Sequence, residues 1–388
     1  MWEIFKTFFV LGCISFGGPA AHIGYFRATF VSRLAWLNEK QYADIVALSQ
    51  FLPGPGSSQV GFAIGYHKSG LVGAVFAFLG FTLPSIILML LLVMSAGQLA
   101  GHELFQHIIH GLKLLAVVVV LDAVLSMYKN LCQGQTRVLI CLLSACVLLL
   151  FPHLITQMLV LTLAALLGIY FLKSTASELT NKQELSSRHI SYTPLILFLL
   201  LLVALPLLNN TSPLIAIFSD FYQAGSLVFG GGHVVLPLLQ PIVEGQVSAD
   251  QFLTGYALAQ AVPGPMFTFA TYIGYFILPS SPIIGSLLAT IAVFLPGFLL
   301  LLGCLKNWEV LSKISSLSAA ISGVNAAVVG LLISVLYDPV FTNAVFNGMD
   351  MAMVLLGFYL LKNKRLPIVG LVALFIGVSV GLYFLNTF

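Results

Sequence analysis

Phe16-Gly17-Gly18-Pro19 and Gln50-Phe51-Leu52-Pro53-Gly54-Pro55 in the first half of the chain return as Phe229-Gly230-Gly231-Gly232 and Gln260-Ala261-Val262-Pro263-Gly264-Pro265 in the second. Glycine and proline interrupt helices, and here they stand inside strongly apolar stretches. In a bilayer each interruption leaves backbone N–H and C=O groups that have no water to bind. These groups need partners from the protein or from a polar ligand, so the four interruptions predict broken membrane helices and a binding site.

Composition sets the fold class. Of the 388 residues, 59% are hydrophobic and only 7% are charged, whereas a soluble domain carries about 25% charged residues. The sequence therefore predicts an all-α polytopic membrane protein, in contact with the lipid bilayer. A net charge of +3, spread over many loops, argues against nucleic acid as a partner. The five cysteines show no metal-ligand spacing, and we expect neither a metal nor a cofactor.

Thirteen apolar segments are candidates for membrane spans. The N-terminal run has no small-residue cleavage site, so we expect a first membrane helix rather than a signal peptide. The segments are residues 4–24, 43–66, 70–96, 106–128, 137–151, 154–172, 194–208, 217–240, 252–276, 283–305, 318–337, 343–361 and 367–385.

Loop charges orient these segments. With the N-terminus in the cytoplasm, twelve Lys and Arg residues fall on the inside and three, Arg27, Arg33 and Lys40, on the outside. Positive residues concentrate in cytoplasmic loops, so this bias predicts a cytoplasmic N-terminus. An odd number of spans then predicts a periplasmic C-terminus.

The chain contains an internal repeat. Residues 5–18 align with residues 218–231 at an offset of 213, with six identities in fourteen positions. After a small change of offset the two Pro-Gly-Pro elements align, and Gly111 and Lys113 then align with Gly323 and Asn325. We expect a first six-helix repeat (residues 1–172), a polar cytoplasmic linker (173–193), an inverting helix (194–208) and a second repeat (217–388). Inverted repeats with matched helix breaks are typical of secondary transporters that work by alternating access around a midplane site.

These motifs closely resemble the chromate ion transporter family in its two-domain, long-chain form. The resemblance rests on the four interruptions and on Gly323-Val324-Asn325-Ala326-Ala327-Val328-Val329-Gly330, and it covers nearly the whole chain. It implies efflux of chromate across the bacterial cytoplasmic (inner) membrane, driven by the proton motive force and associated with chromate resistance. Sulfate is a chemically similar oxyanion and a possible substrate, and a homodimer is a possible assembly.

The interruptions are candidates for substrate binding, because a broken helix offers free N–H groups at the positive end of its dipole. Ser57, Ser58 and Gln59 add side-chain donors after one break, and Lys113 offers a charge where its counterpart Asn325 offers an amide. Helix packing is the alternative role for the glycines and prolines. The predicted substrate-binding residues are Gly17, Gly18, Gln50, Pro53, Gly54, Pro55, Gly56, Ser57, Lys113, Gly230, Gly231, Gly232, His233, Gln260, Pro263, Gly264, Pro265 and Asn325.

Charged residues suggest further roles. Arg27, Arg33 and Lys40 are expected at an outer mouth, where they would attract or release the anion. His233, the one histidine that we place at a break, titrates near neutral pH and is a proton-coupling candidate. Asp122 and Asp44 are the other candidates for this role.

Other functions remain open at this point. Glu103, His107 and His110 share a helical face and suggest a metal-cation transporter, although their partners in the second repeat cannot reproduce such a site. An anion channel would use the same breaks. No catalytic motif such as His-Glu-x-x-His or Gly-x-Ser-x-Gly occurs in the sequence, so we do not expect an enzyme.

Overall fold

The computed structural model describes residues 1–99, 102–172, 192–229, 232–305 and 314–387, and within these ranges the chain is helical without a β-strand. Gly230, Gly231 and most of the predicted linker lie outside the described residues. The helices of the first half are α1 (Trp2–Ile14), α2 (Gly18–Phe26), α3 (Glu39–Phe51), α4 (Gly56–Leu99), α5 (Glu103–Leu131), α6 (Gln135–Leu150) and α7 (Leu154–Phe171).

A separate helix, α8 (Tyr192–Leu207), precedes the second half. The helices that follow repeat the order and approximate lengths of the first seven, except that two helices correspond to α4. They are α9 (Pro213–Ser226), α10 (Val235–Val243), α11 (Ala249–Ala261), α12 (Phe269–Ile277), α13 (Pro282–Cys304), α14 (Ser315–Val335), α15 (Gly348–Lys362) and α16 (Ile368–Thr387).

Local sequence explains where these helices begin and end. Equivalent capping boxes start α3, at Asn38 and Gln41, and α11, at Ser248 and Gln251. Helix α4 is bent at Ser69 and Gly70, where Gly70 has a φ of 64°, so it consists of two helices, residues 56–68 and 71–99. The second half makes the same bend with a complete break between α12 and α13.

The first two predicted spans, residues 4–24 and 43–66, are pairs of short helices rather than continuous helices. Phe8 of α1 stacks on Phe30, which follows α2, with ring centroids 4.7 Å apart, so the chain folds back at the Gly17-Gly18 break. The Lys68 ammonium lies 4.8 Å from the centre of the Trp36 ring. The thirteen-span count places Trp36 and Lys68 in loops on opposite sides of the membrane, and this contact corrects it.

The second half contains a matching helix pair. Gly255 lies seven residues before Val262 and packs against Tyr272, seven residues after Pro265, so closely that a Cβ at Gly255 would lie 2.2 Å from the Tyr272 ring. Helices α11 and α12 are therefore also folded back on each other at their break. Helix α9 also contacts α10, and α3 contacts α4. We call the four pairs, α1 with α2, α3 with residues 56–68, α9 with α10 and α11 with α12, the helical hairpins.

The long helices of each half pack against helices of the other half. Helix α5 packs against α15 and α16, whereas its counterpart α14 packs against α6 and α7. Close backbone contact makes this possible, since a Cβ at Gly111 would lie 2.8 Å from the Phe375 carbonyl oxygen and a Cβ at Gly323 would lie 2.1 Å from the Ala164 carbonyl oxygen. The two halves thus share one packed core.

Five helices in the described ranges are long and apolar enough to cross a membrane: Gly56–Ser95, Glu103–Leu131, Pro282–Cys304, Ser315–Phe341 and Ile368–Leu385. Shorter apolar helices accompany them, such as Gln135–Leu150 and Tyr192–Leu207. These lengths and compositions agree with an α-helical, multi-pass membrane protein.

Candidate functional site

The four breaks meet in pairs, each pair joining the two halves of the chain. The Gly54 N–H donates to the Val228 carbonyl over 2.7 Å, and the Gly264 N–H donates to the Ser15 carbonyl over 2.8 Å. Gly54 and Gly264 are equivalent in the repeat, as are Ser15 and Val228. The second break of each half is therefore bound to the first break of the other half.

Side chains also satisfy the proline carbonyls at the Pro-Gly-Pro breaks. The Gln59 amide donates to the carbonyls of Pro53 (3.0 Å) and Gly297 (2.9 Å). The Ser85 hydroxyl donates to the Pro263 carbonyl over 2.7 Å. Ser85 and Gly297 occupy equivalent positions after a proline. The two halves therefore satisfy equivalent proline carbonyls with different side chains, Gln59 in one case and Ser85 in the other. Many groups that we expected a ligand to satisfy are thus satisfied by the protein.

The backbone N–H groups that remain available to a ligand lie at the starts of two helices. In α4 the first intrahelical donor is the Gln59 N–H, which binds the Pro55 carbonyl over 2.9 Å, so the preceding N–H groups have no carbonyl within the helix. Gly56 at this helix start and Gly17 at the start of α2 both line one cavity of about 510 Å³. Two positive helix ends therefore meet at this cavity.

Both halves of the chain build the wall of this cavity, which we call the central cavity. Its floor is formed by the breaks, and one side by the second half of α5. The predicted site residues that line it are Gly17, Gln50, Gly54, Gly56, Gly232, His233 and Asp122.

Polar side chains face the central cavity from several directions. Gln50 is exposed to it, and Ser49 lies next to Gln50 on the wall. The Asp122 carboxylate accepts a hydrogen bond from the Lys362 ammonium over 2.7 Å. This ion pair offsets a negative charge that would otherwise repel an anion. The Ser49 hydroxyl itself donates to the Val46 carbonyl over 2.8 Å, so the cavity combines helix ends, the Gln50 amide and a compensated carboxylate.

His233 connects the central cavity to the core. Its Nδ1 lies 2.9 Å from the Tyr256 hydroxyl, and Tyr256 is buried on α11. The contact joins the start of the α10 segment to the α11–α12 hairpin. His233 therefore links the central cavity to α11 through one hydrogen bond.

A second histidine also lies at a break, which corrects the view that His233 is the one histidine there. His22 is fully buried, with Nε2 3.3 Å from the Ser15 carbonyl and Nδ1 3.1 Å from the Ser57 hydroxyl. A carbonyl only accepts, so Nε2 carries the proton and Nδ1 of the neutral ring accepts from Ser57. His22 thereby connects the first break to the start of α4. Its ring takes the hydrogen bond of the Ser57 hydroxyl, which we predicted to contact substrate.

Several predicted residues lie behind the breaks rather than in the central cavity. Pro53, Pro263 and Gly264 take part in the contacts between halves. Pro55 and Pro265 precede the restarting helices, and Gly18 begins α2. Gln260 is buried, and its amide nitrogen has no hydrogen bond within the described residues. The same holds for the Asn325 amide oxygen.

The predicted charged residues separate into different places. Arg27 forms an exposed ion pair with Glu39 at 2.9 Å, and Arg33 and Lys40 are also exposed. These three belong to the hairpin ends near Trp36 and Lys68, which corrects their assignment to the side opposite Lys68. Asp44 is half-buried on α3, and Lys113 lies in a different cavity, described below.

The described residues give no geometric support to the metal-transport alternative. His110 pairs with the Asp350 carboxylate at 2.9 Å, and His107 packs beside the Tyr383 ring. No group of three or more His, Cys, Asp or Glu side chains is arranged to hold a metal ion anywhere in the described ranges.

Comparison with known proteins divides the chain into the same two halves as the internal repeat. A family profile described as chromate transporter matches the chain twice, over residues 2–169 and 215–382. A chromate transport protein of Pseudomonas aeruginosa is 28% identical, over 85% of this chain and 79% of the relative. An uncharacterized transporter of Methanocaldococcus jannaschii is 29% identical, over 86% and 83%, and a probable chromate transport protein of Synechococcus elongatus is 28% identical, over 85% and 82%. No solved structure matches the chain.

Proposed function

The chain belongs to the chromate transporter family, and we propose that it exports chromate, or the related oxyanion sulfate, from the cytoplasm as a secondary transporter. The observation that carries this proposal is the central cavity of about 510 Å³, where breaks from both halves converge. A tetrahedral dianion that leaves water needs hydrogen-bond donors and positive potential, and helix starts beside glycines supply both.

The proposed topology follows from the hairpins. Each hairpin enters the bilayer and returns to the side from which it came, so four hairpins leave the orientation of the other helices unchanged. Residues 71–99 and helices α5 to α7 cross in the first repeat, α13 to α16 in the second, and α8 between them. An odd number of crossings before α9 inverts the second repeat, and the C-terminus is periplasmic when the N-terminus is cytoplasmic.

Loop charge supports this topology better than it supports thirteen spans. When the α1–α2 and α3–α4 hairpins return to the cytoplasmic side, Arg27, Arg33 and Lys40 join the other twelve basic loop residues there. Apart from Lys113, which is buried, no Lys or Arg in the sequence is then assigned to the periplasmic side. This distribution is what the positive-inside rule favours. The central cavity, at the end of α5 that carries Asp122, then faces the cytoplasm.

Unequal cavities in the two halves support alternating access. Leu361 and Asp122 line the central cavity, and their repeat counterparts Leu148 and Ser334 line a cavity of only about 80 Å³. There the Gln157 amide donates to the Pro237 carbonyl over 3.1 Å and holds α7 against α10. The space beside Leu361 and Asp122 is therefore open, whereas the equivalent space beside Leu148 and Ser334 is nearly filled. Exchange of these two arrangements would carry a bound anion across the bilayer.

The membrane potential favours export of a dianion. One charge crossing 100 mV gains about 2.3 kcal/mol, so a dianion that leaves a negative interior gains roughly twice that. Efflux therefore needs no proton symport, and we propose an electrogenic mechanism. Proton coupling through His233, Asp122 or Asp44 would instead make transport respond to the pH gradient.

Flux measurements test the proposal. The purified protein is reconstituted in proteoliposomes, and uptake of radiolabelled chromate is followed with and without excess sulfate, with the potential and the pH gradient set independently. We expect saturable uptake that follows the potential and is inhibited by sulfate. Absence of chromate and sulfate flux would refute the substrate, dependence on the pH gradient alone would refute the electrogenic mechanism, and lack of accelerated exchange by unlabelled anion would indicate a channel.

A further inference from the structure

A second cavity lies at the other end of α5, with a volume of about 720 Å³. Lys113 lines it, whereas Asp122, nine residues later, lines the central cavity. At 1.5 Å per residue these positions are about 14 Å apart along the helix. The second cavity is thus separate from the central cavity and lies nearer the start of the same helix.

Lys113 is a buried cation with an exposed partner. Its side chain is only 8% exposed, and its ammonium binds the carboxylate of Asp250, whose side chain is 71% exposed. A buried ammonium without a negative partner is strongly unfavourable, so Lys113 needs an anion at all times. The Asp250 carboxylate can leave Lys113 at a lower cost than the buried ammonium can lose its partner, because water reaches most of the Asp250 side chain.

The repeat shows that this ion pair is not a requirement of the fold. At the equivalent positions stand Asn325 and Lys40, which cannot form an ion pair of this kind. In the described part of the chain Lys40 is exposed and the Asn325 oxygen is buried without a hydrogen bond. The pair of opposite charges is therefore specific to the side with the second cavity.

Other polar groups surround the ion pair. His107, Gln251 and Thr254 line the same cavity and supply ring, amide and hydroxyl groups around Lys113. His110 lines it as well, but its Nε2 is already paired with the Asp350 carboxylate. Such a set suits a small oxyanion that binds one fixed cation and several hydrogen-bond donors. The volume leaves room for this ligand beside the Asp250 carboxylate.

We infer that Lys113 forms a second anion-binding site, which the Asp250 carboxylate fills until a small oxyanion displaces it. The inference rests on the proposed function, because the oxyanion is then the transported substrate on its way out. Asp250 lies in the first turn of α11, and α11 ends at the break that contains Pro263. An anion on Lys113 therefore releases the start of α11, the helix whose Tyr256 hydroxyl contacts His233 of the central cavity.

Removal of the Asp250 carboxylate, which competes with the oxyanion for Lys113, tests the site. Equilibrium binding of labelled chromate is measured on the purified full-length protein and on Asp250→Asn, Lys113→Gln and the double variant. We expect Asp250→Asn to bind chromate at the second site on the order of tenfold more tightly, and the double variant to lose this gain. Glu39→Gln, which breaks the exposed pair with Arg27, serves as the matched control and should behave as the wild type. Unchanged chromate binding by folded Asp250→Asn would overturn the inference.

A second measurement uses the unsubstituted protein and so does not depend on the folding of a variant. Acylation of Lys113 by an amine reagent is followed by mass spectrometry with and without saturating chromate. We expect chromate to slow the reaction at Lys113 and not at Lys40, and equal rates at Lys113 would contradict the site. Normal chromate flux without Lys113-dependent binding would refute this inference alone. Lys113-dependent binding without flux would support the site and refute transport.

Discussion

Gly54→Ala perturbs the contact that joins the two halves. Gly54 has a φ of 126°, a backbone region in which a residue with a side chain is strained by about 1–3 kcal/mol. An added Cβ would also lie 2.8 Å from the Gly297 Cα and 2.9 Å from the Gln59 amide nitrogen. Overpacking against backbone costs about 1–3 kcal/mol more, so we expect a loss of about 2–6 kcal/mol in the free energy of unfolding.

Thermal unfolding in detergent and chromate flux in proteoliposomes measure this effect. We expect Gly54→Ala to lower the melting temperature and to abolish flux, because the clash pushes the break away from Gly297. Gly24→Ala is the matched control, since a Cβ there meets nothing within 4 Å and helical alanine is favoured over glycine by about 0.5–1 kcal/mol. Combination with Gly297→Ala should be non-additive, because the two glycines touch. A Gly54→Ala protein as stable and active as Gly24→Ala would refute the reasoning.

Three further substitutions test other contacts of the site. Ser85→Ala leaves the buried Pro263 carbonyl without its donor and should cost about 1–3 kcal/mol; a melting temperature equal to that of the exposed control Ser280→Ala would contradict this. Gln157→Leu removes the hydrogen bond to the Pro237 carbonyl and should therefore speed maleimide labelling of a cysteine placed at Ser334, in a background without the five native cysteines. Unchanged labelling would mean that this hydrogen bond does not keep the small cavity beside Ser334 closed. Gln50→Ala should weaken chromate binding without changing the melting temperature, whereas the exposed control Gln135→Ala should change neither; full affinity in Gln50→Ala would remove Gln50 from the site.

The positions of the helices were predictable from the sequence, but their folding back was not. Apolar composition marks a segment such as residues 4–24 whether it crosses the bilayer or contains two short helices. One signal was present: Arg27, Arg33 and Lys40 violated the charge bias under the thirteen-span count. An outer mouth for anions accounts for this violation under thirteen spans, whereas the contact between Trp36 and Lys68 accounts for it by a different number of spans.

The site was predictable only in part for a similar reason. The repeated glycines and prolines correctly indicated where the chain breaks, and several of them line one cavity. The sequence did not indicate that each break would be satisfied by the opposite half, since this depends on which segments meet in space. Ser85 and His22 were missed on this account, although the exchange of Ser85 for Gly297 after an aligned proline was a signal within the repeat.

The central claim is that breaks from two inverted repeats enclose one anion in the central cavity. A structure of the full-length protein with bound chromate, in which chromium is located by its anomalous scattering, tests this claim. We expect a chromium peak in the cavity between Gly17, Gly56 and His233 of the wild-type protein. A peak elsewhere, or none at a chromate concentration that saturates transport, would contradict the account.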